Sequence, residues 1–98
     1  MEGGNWKEMF QAACDGDQDL VEFHVRTGVD VNYAHPEFMS TPLVACILTG
    51  QENMALFLLG HGADPTLHSL FDDMTPLQAA QSVGMTSVVT RLREMGAA

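Results

Sequence analysis

The tripeptide Thr-Pro-Leu occurs twice, as Thr41-Pro42-Leu43 and Thr75-Pro76-Leu77, and 75 − 41 sets a period of 34 residues. Each copy has a glycine nine residues after its threonine, Gly50 and Gly84, and another twelve residues later, Gly62 and Gly96. The same twelve-residue interval separates Gly16 from Gly28, so a third, more degenerate unit precedes the two clear ones. A period of this size builds a stack of supersecondary units, none of which buries its apolar face alone.

Each unit reads as two helices. In the first, Trp6, Met9, Phe10, Ala13 and Cys14 recur at offsets of three and four and mark an amphipathic helix that ends at Asp15-Gly16-Asp17. Leu20, Val21, Phe23 and Val25 lie on a second helix, capped by Asp17 and closed by Gly28. Residues 1–4 are expected as a frayed lead-in. In the second unit Thr41 caps a helix with Pro42 at its first position, Gly50 turns the chain, and Glu52–Leu59 is the partner helix. The third pair is expected over Pro76–Ser82 and residues 86–95. Small residues (Ala12, Cys46, Ala80) let the inner helices approach. Met9, Leu43, Leu77, Leu20, Met54, Val88, Phe23, Phe57 and Leu58 fill the space between pairs. Each buried Leu- or Phe-sized side chain contributes roughly 1.5–3 kcal/mol. In the last helix the segment equivalent to Phe57-Leu58-Leu59 reads Arg91-Leu92-Arg93, a polar outer face suited to a C-terminal cap and to a complete small array.

Thr-Pro-Leu opening the first helix, small residues within it, then Gly, an apolar second helix and Gly-Ala-Asp resemble the ankyrin repeat. The second unit shows this as Thr41-Pro42-Leu43-Val44-Ala45-Cys46, Gly50, Met54 to Leu59 and Gly62-Ala63-Asp64. The third shows Thr75-Pro76-Leu77-Gln78-Ala79-Ala80, Gly84, Val88-Val89, Leu92 and Gly96-Ala97. The first keeps Ala12-Ala13, Gly16, Leu20-Val21 and Gly28-Val29-Asp30-Val31-Asn32, with Lys7-Glu8-Met9 in place of Thr-Pro-Leu, as an N-terminal capping repeat would. The resemblance implies an all-α, ankyrin-repeat α-solenoid: one domain over residues 1–98, with repeats at about 5–37, 38–71 and 72–98. It also implies that Asn32 lies where hydroxylation of asparagine occurs in this family. The family's histidine after Thr-Pro-Leu is replaced by Phe10, Val44 and Gln78, of which only Gln78 offers a substitute for polar bonding between units. The two connectors, residues 29–40 and 63–74, run one residue longer than the common 33-residue period and lack the usual hairpin glycine, so longer, irregular fingers are expected.

Thirteen acids face four bases, a formal charge of −9, and Lys7 and Arg26 are the only bases before Arg91. Such a chain repels phosphate backbones and suits a basic protein partner. The N-terminus shows no basic stretch followed by an apolar run, and the densest apolar patch, residues 54–59, is far too short to span a bilayer. Cys14 and Cys46 sit in no C-x-x-C arrangement and read as small core residues in a reducing cytoplasm. His24, His35, His61 and His68 lack metal-ligand spacing and read as solvated or capping groups, and Asp72-Asp73 reads as a hydrated loop charge. No phosphate loop, H-E-x-x-H or G-x-S-x-G occurs, so no cofactor, metal, small-molecule substrate or catalysis is expected.

The connectors carry large apolar groups that loops seldom hold: Tyr33, Phe38 and Met39 in the first, Leu67, Leu70, Phe71 and Met74 in the second, beside Glu37, Asp72 and Asp73. The expectation is a contact surface in which Phe38 and Phe71 form one anchor, extended by the inner-helix ends Asp15, Thr49 and Val83. In the resembling family, partners dock on the finger tips and the concave face. Two functions fit: a recognition module for a basic protein, or a stand-alone inhibitor, such as an immunity protein that occludes a toxin or nuclease.

Overall fold

The computed structural model describes residues 3–34 and 38–97. These form six helices: α1 Gly3–Asp15, α2 Gln18–Arg26, α3 Pro42–Leu48, α4 Glu52–Leu59, α5 Pro76–Ser82 and α6 Thr86–Glu94. They pair as α1/α2, α3/α4 and α5/α6, and the inner helices α1, α3 and α5 pack in succession. The architecture is an all-helical solenoid. Helix α1 opens at Gly3, inside the segment expected as a lead-in.

Local chemistry sets the boundaries. Thr41 and Thr75 each accept a hydrogen bond from the backbone N–H three residues on, 3.2 Å from Val44 N and 3.2 Å from Gln78 N, with proline at the first helical position. Asp17 does the same for α2, 3.2 Å from Leu20 N. The inner-helix turns close on glycines with positive φ. At Gly16 (φ +78°) the left-handed backbone favours glycine, and an added Cβ would also push the Gln51 carboxamide aside.

The repeat appears in the core as matched slots. Met9, Leu43 and Leu77 are buried one layer apart, and so are Ala12, Cys46 and Ala80. On the outer helices the matched slot holds His24, Leu58 and Leu92, all buried. This overturns two expectations. His24 is neither solvated nor a cap but 2% exposed, and Phe23 beside it is 53% exposed rather than core. The reason is helix rotation. Val21 faces inward, a residue three positions on shares its face, and the neighbour of that residue is carried about 100° away.

Hydrogen bonds between layers come from residues outside the expected position. Among the described residues Gln78 makes no bond between units; its Oε1 accepts from Thr75 N at 3.0 Å and closes a capping box within its own helix. Instead, Asn32 Nδ2 donates to Gly62 O (3.0 Å) while its Oδ1 accepts from Asp64 N (2.7 Å). Gln51 Nε2 donates to Cys14 O at 3.1 Å, bonding a carbonyl in the last turn of α1. Ser87 donates to the Glu52 carboxylate, tying α6 to α4.

Candidate functional site

The second connector closes more tightly than expected. Ser69 N donates to Met74 O (2.8 Å) and Met74 N to Ser69 O (3.3 Å), leaving residues 70–73 as the loop of a hairpin. The position that glycine would fill is taken by Asp73, at φ +54°. Met39, one period earlier, has φ +56°, so both connectors place a non-glycine residue in the left-handed region. Aspartate tolerates that region through local hydrogen bonding; Asp73 accepts from His68 Nε2 at 3.1 Å.

The period also decides which connector side chains turn inward. Phe38 and Asp72 are equivalent (72 − 38 = 34), as are Trp6 and Ser40 (40 − 6 = 34). Phe38 lies edge-on to Trp6 at 4.8 Å and to Phe10 at 4.9 Å, with the Lys7 ammonium 5.9 Å from its ring centre. Asp72 Oδ2 accepts from Ser40 Oγ at 3.0 Å and from Ser69 Oγ at 2.7 Å. In both connectors this position docks on the start of the preceding inner helix, through rings in one case and hydrogen bonds in the other. Phe71 precedes Asp72 by one residue and stays outside, 73% exposed beside Leu70 at 66%. The single anchor of Phe38 with Phe71 is therefore corrected: Phe38 is half-buried against α1, and Phe71 and Leu70 project from the second hairpin. Phe71 N nonetheless donates to Met39 O at 2.8 Å, so the two connectors are joined through their backbones.

Of the remaining expected site residues, Met39 and Tyr33 are exposed and Met74 is half-buried. Asp15, Thr49 and Val83, one per layer at the ends of the inner helices, are all exposed. Glu37 and His35 lie outside the described residues. Asp72 is a structural hydrogen-bond acceptor rather than a free loop charge. Its field reaches α1: burial first, then the charges of Asp15 and Asp72, push the Cys14 thiol up. Burial also raises the Cys46 thiol, which donates to Leu43 O at 3.2 Å. Neither thiol is disposed to act as a thiolate. Among the described residues no three His, Cys, Asp or Glu side chains gather as a metal site, and no described helix is long and apolar enough to cross a membrane.

A half-open cleft of about 490 Å³ that no motif singled out lies at the first layer, lined by Asn5, Trp6, Thr27, Gly28, Val29, Asp30 and Tyr33. The signal for it was the Gly-x-Asp of residues 28–30, which returns at residues 62–64, where Asn32 occupies it.

Over 56 residues, 57% of its length, the chain is 43% identical to palmitoyltransferase ZDHHC13 of Homo sapiens, with the same figures for that of Pongo abelii. It is 39% identical to that of Mus musculus over the same length. The chain spans about a tenth of these relatives, 9% of each. The family model for ankyrin repeats matches residues 9–98 in three copies, and such repeats are in general protein–protein interaction modules. With its three layers of helix pairs and its matched core slots, the chain belongs to the ankyrin repeat family.

Proposed function

We propose that this chain is a non-catalytic, cytoplasmic recognition domain. It binds a basic protein through the second hairpin, the exposed part of the first connector and the line of inner-helix ends. The observation that carries the reading is Phe71 at 73% exposure beside Leu70 at 66%, on a loop held by the Ser69–Met74 bridge, the Phe71–Met39 backbone bond and the Asp72 carboxylate. A large apolar side chain on a fixed backbone loses little entropy on binding and makes an effective anchor. The surrounding charge, thirteen acids against four bases, steers a basic surface toward it and repels acidic ones.

The test is affinity capture with wild-type and Phe71→Ala baits at two salt concentrations. Loss of a partner with the variant, and slower association at higher salt, support the reading. A partner retained by Phe71→Ala at unchanged, salt-independent rate removes both the anchor and the steering.

A further inference from the structure

The outer helices carry a pattern that the core does not use. The period of 34 puts Phe23, Phe57 and Arg91 at one outward position of α2, α4 and α6. Three residues on, along the same helix faces, it puts Arg26, Gly60 and Glu94. Phe57 is half-buried, with the His61 imidazole stacked on it at 4.1 Å, and the other five are exposed. Helix α4 lies between the other two and is apolar on both sides. Met54, Ala55, Leu58 and Leu59 fill its inner side, and Leu56 and Phe57 lie half-buried on its outer side. A helix that is apolar all round is suited to being covered on both sides.

Charge is spread unevenly over the chain. The outer helices hold four of the thirteen acids and three of the four bases, Arg26, Arg91 and Arg93. The rest of the chain holds the other nine acids and Lys7. The outer side is therefore nearly neutral in a chain of charge −9, and a second acidic copy meets least repulsion there.

We propose that two copies of this chain pair through their outer helices, about a two-fold axis that runs along α4. Such an axis reverses the layer order, so α2 of each copy lies over α6 of the other and α4 over α4. Arg26 then faces Glu94 of the second copy, Phe23 faces Arg91, and Phe57 meets Phe57. Asp19 faces Ser87, so no like charges oppose at these positions. The guanidinium over the Phe23 ring is a cation–π contact, and the Arg26–Glu94 pairs fix the register. Gly60, beside the axis, lets the α4 backbones approach closely. An axis across the helices would keep the layer order and set Arg91 against Arg91. Three helices of nine, eight and nine residues present roughly 400 Å² of face, from about 13 Å of length and 10 Å of width each. That is small for a dimer, so a dissociation constant on the order of 10–100 µM is expected. The inference is independent of the recognition reading, which uses the connectors and the inner-helix ends.

Sedimentation equilibrium of the full chain, from about tenfold below that constant to about tenfold above it, reads the pairing. A monomer–dimer equilibrium is expected. Arg26→Glu alone and Glu94→Arg alone each set two like-charged pairs across the axis and weaken it about tenfold. The two variants mixed together restore it, because each position 26 again faces an opposite charge at position 94. Phe23→Ala weakens it about three- to fivefold, and Phe71→Ala leaves it unchanged. Circular dichroism checks the fold of each variant; if a charge reversal unfolds, Phe23→Ala decides. A chain monomeric over the whole range overturns the proposal. So does a dimer indifferent to Phe23→Ala and to both reversals, or a mixture no stronger than its components. A dimer lost with Phe71→Ala instead belongs to the second hairpin, and that too overturns the pairing through the outer helices.

Discussion

His24 Nε2 lies 2.8 Å from Glu8 Oε1, joining α2 to α1 through one side chain that is 2% exposed and another that is 60% exposed. A carboxylate only accepts, so Nε2 donates to it, and the buried Nδ1 has no hydrogen-bond partner among the described residues. Leu58 and Leu92 fill the same slot in the other layers with no polar atom to satisfy. His24→Leu is therefore expected to stabilise the chain by about 1 kcal/mol, because it removes a buried nitrogen without a partner while the exposed Glu8 carboxylate returns to water. Glu8→Ala is expected to destabilise it by about 1–3 kcal/mol, since both imidazole nitrogens then lack partners. Urea unfolding measures both; a less stable His24→Leu would show that the His24–Glu8 hydrogen bond outweighs the unpaired nitrogen.

Phe38 and Phe71 separate stability from binding. Phe38→Ala removes ring contacts to Trp6 and Phe10 and is expected to cost about 1–3 kcal/mol. Phe71→Ala is expected to change stability by no more than about 0.5 kcal/mol. Chemical denaturation of the two variants checks this, and equal losses would place Phe71 in the core in solution.

The Asn32 carboxamide clasps the second layer, and Asn32→Ala removes both of its bonds to Gly62 and Asp64. Water reaches this site, so the expected loss is about 1–2 kcal/mol. Native-state hydrogen exchange should show the Asp64 amide exchanging faster while amides within α3 and α4 change only by the global loss. Unchanged protection at Asp64 would mean the clasp is open in solution.

Asp64 gives the chain a specific acid sensitivity. The Thr66 backbone N–H, and then its hydroxyl, bond to the carboxylate at 2.9 and 2.8 Å and hold it below the usual aspartate range. A lowered folded-state value means that the charged carboxylate favours the fold. That contribution is complete above the unfolded value, about pH 4, and is lost as pH falls through the folded one. Asp64→Asn should flatten this part of the stability profile below about pH 4 and leave the remainder in place. A profile with undiminished slope there would assign the acid sensitivity to other carboxylates.

The period of 34, the Thr-Pro starts and the glycine stops were enough by themselves to determine a stack of three helix pairs. Caps and turns depend on a few adjacent residues, and a repeated apolar pattern has only one way to bury every layer. Tertiary structure alone decided which of two neighbouring apolar or aromatic residues turns inward. Composition favoured Phe23 over His24 as core, but the rotation of α2, set by Val21, placed the imidazole in the slot of Leu58 and Leu92. Composition likewise paired Phe38 with Phe71, whereas the repeat register pairs Phe38 with Asp72, each docked on the start of the layer before it. A ring turns inward only where another layer offers it a surface, and that surface, Trp6 for one and Ser40 for the other, is assembled only when the chain stacks.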